Sequence, residues 1–242
     1  MTDHQTNVPE DILRRAILVS GKEGRHAVAR KASEVTIVKP QWLDDPLFPL
    51  NVITLVAGEA GVGKSTLVLD RMSKASKGML SGSFSGQCVT IAITAPEDSK
   101  SMQKARFEAA GADMNRIVFL DMEDTRDGTS VETSLAIPKD LKIIEEKLRE
   151  LDARTWVIDP ITSPIAGDTN KRDDVRKALE PLAAMAERLG ITIIGILHFN
   201  KGGGRAGEEM SGSHAFRDIA RSGIVVVKDD KTEQHVFTID KS

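Results

Sequence analysis

The stretch of sequence with the clearest chemistry is a glycine-rich run. It fits the pattern G-x-x-x-x-G-K-[ST] and, with the next residue, comprises Gly58, Glu59, Ala60, Gly61, Val62, Gly63, Lys64, Ser65 and Thr66. Glycines let the backbone curl so that successive N–H groups point at phosphates, and the following helix adds its dipole. Lys64 can then reach the β- and γ-phosphate oxygens, and the Ser65 hydroxyl can ligate Mg²⁺. The run therefore predicts a site for ATP and Mg²⁺.

A carboxylate after a later apolar run fits the same chemistry. Residues 155–158 predict a buried strand, and Asp159 follows it directly. A strand-end carboxylate suits the magnesium shell of a phosphate-loop enzyme, which makes Asp159 a second metal residue beside Ser65. The alternative is an aspartate that only caps a turn.

A second carboxylate, Glu97, follows the predicted strand at 89–95. We expect this strand to neighbour the phosphate-loop strand. Glu97 could then bind the attacking water and orient it toward the γ-phosphate. Asp98 or Ser99 would cap the following helix. The alternative is that both acids only begin that helix.

His198 lies at the end of the apolar run 191–197. It could sense the γ-phosphate and transmit its loss to the following glycine-rich loop. A lone histidine at a strand end is more often structural, so this role stays open.

Strands and helices alternate along most of the chain. Apolar runs predict strands at 52–57, 89–95, 117–120, 155–158 and 191–197, and helical spacing predicts helices at 64–77, 98–110, 141–151 and 173–189. Residues 223–227 and 236–239 predict a C-terminal β-hairpin. The pattern favours an α/β fold with a mainly parallel, twisted sheet and helices on both faces.

The first forty residues differ from the remainder. Their one predicted helix, with apolar positions between Ile12 and Ile17, is too short to bury a core of its own. We therefore predict an N-terminal arm at 1–40 and an ATPase domain at 41–242.

Composition restricts the partners. The net charge is −3, with 40% hydrophobic residues and no membrane-length apolar run, so a DNA contact must come from local loops or from a ring that concentrates them. Cys88 begins an apolar run, which favours a buried thiol in a reducing cytoplasm.

These motifs together resemble the RecA/DnaB superfamily of ring-forming P-loop ATPases, and most of all the small RepA-type hexameric helicases of plasmids. The resemblance covers residues from about Trp42 to Ser242. It rests on the phosphate loop, the Pro96–Asp98 turn, the run from Arg106 to Asp113, the strand ending at Asp159, His198, and Gly212-Ser213 followed by Arg221.

The resemblance implies a RecA-like core and a role for each motif. Glu97 would be the catalytic base, Asp159 the Walker B carboxylate, His198 the γ-phosphate sensor and Lys64 the phosphate-binding lysine. Arg221 would be an arginine finger inserted into the neighbouring subunit's ATP site, with Arg217 as its competitor.

The resemblance also implies a hexameric ring that acts on single-stranded or branched DNA in replication or recombination. Lys171 and Arg172, with Lys201 and Arg205, would grip DNA phosphates, although sequence alone also allows solvated loops. Two other functions stay open: a DNA nuclease that uses the ring as a clamp, and a regulatory ATPase of the circadian-clock type. The acidic run from Asp121 to Asp127 lacks metal-ligand spacing and favours a solvated loop.

Overall fold

Runs of valine and isoleucine build the central sheet of the protein. We describe it from a computed structural model covering residues 27–37, 39–198, 214–229 and 232–241. The chain divides into two units, 1–39 and 40–242. In the first unit, the described residues contain one exposed 3-10 turn at Ala32–Glu34. The predicted helix around Ile12–Ile17 lies outside the described residues.

Within the described residues of the second unit, seven strands form one sheet. Their bounds are β3 (Ile53–Gly58), β4 (Thr90–Thr94), β5 (Ile117–Phe119), β8 (Ala153–Ile158), β9 (Thr192–His198), β10 (Ser222–Lys228) and β11 (His235–Lys241). Their order is β11-β10-β3-β9-β8-β4-β5, and every neighbouring pair is parallel except β10 with β11. The parallel sheet and the C-terminal hairpin are thus confirmed.

Helices cover both faces of this sheet. They are α1 (Lys64–Ser76), α2 (Lys100–Ala109), α3 (Leu141–Glu150), α4 (Arg172–Leu189) and α5 (His214–Ile219). Apolar side chains of α1 and α2 belong to one buried cluster and those of α3, α4 and α5 to another. The predicted two-sided α/β fold is confirmed, and the four predicted helices begin and end within two residues of the observed bounds.

Two small strand pairs lie outside the main sheet. One consists of β1 (Trp42–Asp44) and β2 (Phe48–Pro49), and Asp44 accepts two hydrogen bonds from Arg71 on α1 at 2.6 and 2.7 Å. The other, β6 (Met122–Arg126) and β7 (Thr129–Thr133), is an antiparallel hairpin. The prediction of a loop at Asp121–Asp127 is wrong, because most of these residues form the strand β6. Their side chains are mostly exposed, as predicted.

The predicted burial of Cys88 is also wrong. Cys88 is exposed, whereas Val89 is 4% exposed and Thr90 begins β4. The buried strand therefore begins after the cysteine, so the apolar run extends beyond the strand that it predicts.

Candidate ATP-binding site

The phosphate loop connects β3 to α1 at the carboxyl edge of the sheet. Gly63 lies directly before the helix with φ of 90°, a left-handed conformation that favours glycine. Gly58 passes so close to β10 that a Cβ atom there would lie 2.3 Å from the carbonyl oxygen of Val226. The sequence thus folds into a loop whose helix N-terminus is open to an anion.

Lys64 is held by the loop that carries it. Its Nζ donates hydrogen bonds to the carbonyl oxygens of Gly58 at 2.9 Å and Glu59 at 2.7 Å, and the residue is 3% exposed. Burial lowers the pKa of Lys64, and the nearby Asp159 carboxylate partly opposes this. Lys64 is therefore a buried cation that lies beside the part of the loop expected to bind phosphates.

Ser65 and Asp159 meet directly. The Ser65 Oγ donates a hydrogen bond to Asp159 Oδ2 at 2.7 Å, joining the start of α1 to the end of β8. The backbone N–H of Asp159 is bonded to the Thr94 carbonyl at 3.0 Å, which fixes the carboxylate to β4. A hydroxyl and a carboxylate at this distance are a hard-oxygen donor pair that fits Mg²⁺.

His198 faces the same carboxylate from β9. Its Nε2 lies 3.9 Å from Asp159 Oδ1, beyond hydrogen-bonding distance. The structure therefore brings Lys64, Ser65, Asp159 and His198 to one place.

A cleft of about 640 Å³ opens over these groups. Its lining includes Lys64 and Ser65 of the phosphate loop, His198 of β9, and Arg106 and Ala110 at the end of α2. Sequence reasoning did not name Arg106 as a site residue. The sequence signal that could have identified Arg106 is its position in the last turn of the helix that follows Glu97. The small alanines after it leave space beside its side chain.

Glu97 lies on an exposed turn between β4 and α2. The expectation that its strand neighbours the phosphate-loop strand is wrong, because β9 and β8 lie between β3 and β4. Strand order depends on long-range pairing, which local sequence patterns do not encode. Among the contacts of the described residues, no hydrogen bond joins Glu97 to Lys64, Ser65 or Asp159. Glu97 instead lines a neighbouring cleft of about 720 Å³.

Arg221 lies at the amino edge of the sheet, whereas the phosphate loop lies at its carboxyl edge. Its backbone N–H donates to the Ile53 carbonyl at 3.1 Å, at the start of β3, whereas the phosphate loop follows the end of that strand. The length of β3 separates the two by roughly 17 Å. Arg221 is exposed, and its competitor Arg217 forms an ion pair with Asp240 at 3.2 Å.

Two of the four candidate DNA-binding residues lie among the described residues. Lys171 is exposed directly before α4, and Arg172 begins that helix with a hydrogen bond to Asp218 at 2.7 Å. Lys201 and Arg205 lie outside the described residues.

Within the described ranges, no group of three or more His, Cys, Asp or Glu side chains is placed to hold a metal ion. No helix in those ranges is both long and apolar enough to cross a membrane.

A buried P-loop lysine, a Ser–Asp pair and a parallel sheet with helices on both faces define the class: a RecA-like P-loop ATPase. The family model described as AAA domain matches residues 23–204, and the chain belongs to that family. A search of curated proteins finds no match.

A solved structure supports the fold. The chain is similar to the KaiC-like protein PH0186 from the hyperthermophilic archaeon Pyrococcus horikoshii OT3, with a TM-score of 0.56 and 20% identity. The similarity covers 80% of each chain.

Proposed function

We propose that this ATPase hydrolyses Mg²⁺-bound ATP in the cleft over the phosphate loop, as a subunit of a hexameric ring that acts on single-stranded or branched DNA. The observation that carries the hydrolytic part is the 2.7 Å hydrogen bond between Ser65 and Asp159 beside the buried Lys64. These groups provide a hard-oxygen pair and a cation at a helix N-terminus.

Each residue has a separate role in this proposal. The backbone N–H groups from Gly58 to Thr66 bind the phosphates, and Lys64 leaves its loop carbonyls for the β- and γ-phosphate oxygens. Ser65 and Asp159 would hold the Mg²⁺ ion, which supplies charge stabilisation for the transferring phosphoryl group. Glu97 accepts a proton from the water that attacks phosphorus, and the products are ADP and phosphate.

His198 would report whether the γ-phosphate is present. His198 lines the cleft, and its Nε2 lies 3.9 Å from Asp159 Oδ1. A change in the surroundings of that carboxylate would therefore affect His198 directly. His198 directly precedes the segment that carries Lys201 and Arg205, so this change would couple hydrolysis to that segment.

The position of Arg221 favours a role between subunits. It lies at the other end of β3 from its own phosphate loop and is exposed. An arginine finger from this position would therefore act on a neighbouring copy, where it stabilises charge on the transferring phosphoryl group.

The DNA part of the proposal rests on local cations. The chain has a net charge of −3, so a single subunit has no general attraction for a polyanion. Six copies of Lys171, Arg172, Lys201 and Arg205 around one channel would concentrate positive charge where a single strand passes.

A regulatory ATPase that does not act on DNA is the second candidate. The similarity to a KaiC-like protein and the acidic balance of the chain favour it. For the nuclease alternative, the described residues offer no cluster of metal-binding side chains.

The deciding experiment measures the ATPase rate with and without single-stranded DNA, on protein whose mass in solution is known. The motor proposal predicts a six-subunit mass and DNA stimulation that a Lys201→Ala/Arg205→Ala double variant loses. A Lys177→Ala/Lys142→Ala double variant, with two exposed lysines changed elsewhere, should keep it. A rate indifferent to DNA in both proteins would favour the regulatory ATPase, and metal-dependent DNA cleavage would favour the nuclease.

A further inference from the structure

A buried amide holds the turn that carries Glu97. Gln103 is the fourth residue of α2 and is 7% exposed. Its Nε2 donates two hydrogen bonds, to the carbonyl of Ala95 at 3.0 Å and to that of Asp98 at 2.8 Å. These two carbonyls flank Glu97 on either side, so one side chain fixes both ends of the short segment.

The other contacts of this turn are exposed. Ser99 caps α2 by accepting a hydrogen bond from the Met102 N–H at 3.3 Å, and Arg106 bonds to the Asp98 carboxylate. Exposed contacts of this kind stabilise little, because water competes for both partners. Gln103 donates both of its amide hydrogens in a largely buried site, where an unsatisfied carbonyl is costly.

Gln103 also borders a cavity that it shares with the Ser65–Asp159 pair. Gln103, Asp98 and Ala95 line a small cavity of about 50 Å³ together with Ser65 and Asp159. The turn of Glu97 and the Ser65–Asp159 pair therefore border the same small cavity, although among the described contacts no hydrogen bond joins Glu97 to that pair.

We propose that Gln103 is a positioning residue for hydrolysis, which holds the Ala95–Ser99 turn so that Glu97 is aimed at the attacking water. This inference rests on the proposed role of Glu97. It predicts that loss of the two Gln103 hydrogen bonds slows the chemical step. Nucleotide binding should stay intact, because the groups that bind phosphate lie on a different loop. A misplacement of about 1 Å in a reacting group lowers rates by about 100-fold.

The test uses Gln103→Met in the full chain, since methionine matches the length of glutamine and donates nothing. We expect kcat to fall by about 10- to 100-fold while the Kd for ATP changes less than about 3-fold. Gln87→Met, the same replacement at an exposed position, should leave both values unchanged. Gln103→Glu, which keeps the shape but loses the donors, should repeat the loss in kcat and serves if the methionine variant does not fold.

Two results would overturn the inference. One is an unchanged kcat in Gln103→Met. The other is loss of ATP binding in both Gln103 variants, which would show that the amide holds the whole domain together. Glu97→Gln is assayed in parallel: if it hydrolyses ATP at the normal rate, the proposed role of Glu97 fails. If it is inactive while Gln103→Met has full activity, only the inference about Gln103 fails.

Discussion

The two sides of the candidate site are built differently. The phosphate-loop side consists of groups in direct contact, with Lys64 bonded to its own loop and Ser65 bonded to Asp159. The Glu97 side is an exposed turn held through Gln103, and among the contacts of the described residues its carboxylate has no hydrogen bond to the first side.

This difference predicts that binding and turnover depend on separate contacts. The groups on the phosphate-loop side contact one another directly, so this side should bind nucleotide whatever happens to the turn. The Glu97 side lies across β9 and β8 from the phosphate loop, so it can change without disturbing that loop. Substitutions should therefore divide into those that affect affinity and those that affect rate.

Outside the phosphate loop, the largest expected effect comes from a residue that belongs to neither side. Arg221→Ala should lower kcat by about 10³-fold or more if it acts as an arginine finger on the neighbouring copy. Mixing it with Lys64→Ala subunits should restore some activity, because an intact phosphate loop then meets an intact Arg221 from its neighbour. Phosphate release across mixing ratios measures this.

Arg217→Ala is the matched control, since Arg217 is already paired with Asp240. No recovery at any mixing ratio would count against action between subunits.

Glu97→Gln should separate rate from affinity most sharply. Loss of the proposed general base should lower kcat by about 10²- to 10⁴-fold, while ATP still binds with nearly normal Kd. Equilibrium binding and single-turnover hydrolysis test the two parts. Glu123→Gln, at an exposed position on β6, should change neither value. A normal rate in Glu97→Gln would remove the turn from the site.

Arg106→Ala should act mainly on affinity. Arg106 lines the cleft together with residues of the phosphate loop, so its loss should raise the Kd for ATP by about 10-fold. Titration with a fluorescent ATP analogue measures this. Lys104→Ala, on the same helix but outside the cleft lining, should bind as the natural protein does. An unchanged Kd in Arg106→Ala would mean that the nucleotide does not reach α2.

The smallest effect concerns stability and should leave both sides of the site intact. Hydrogen bonds from Arg188, then from Arg149, lower the pKa of Glu145, which links α3 to α4. Its stabilising effect is therefore present at neutral pH and is lost as pH falls through the lowered pKa. Glu145→Gln should lower the free energy of unfolding by less than about 1 kcal/mol at neutral pH.

The difference in the free energy of unfolding between the natural chain and Glu145→Gln should vanish in acid. Denaturant titration at several pH values measures it, and a difference that grows in acid would contradict the assignment.

Local patterns predicted much of this fold. The strands before Gly58 and Asp159 are continuous apolar runs, and the phosphate loop is a nearly fixed backbone shape that a fixed sequence pattern encodes. Helix α4 ends at Gly190 with φ of 69°, as its sequence indicates. Such features depend on residues close together in the chain.

Features set by distant residues were not predictable in the same way. The strand order that separates β3 from β4, the contact of Gln103 with the Glu97 turn and the place of Arg106 in the cleft all depend on tertiary packing. The hairpin of β6 and β7 is polar and mostly exposed, so it has no apolar alternation to reveal it.

The most direct test of the account is phosphate release from Mg²⁺-ATP by the natural chain and by Lys64→Ala. We predict steady release by the natural chain and none above background by the variant, with both proteins folded by circular dichroism. Equal release by the two proteins, or none by the natural chain with and without single-stranded DNA, would contradict the assignment of the phosphate loop as the site of hydrolysis.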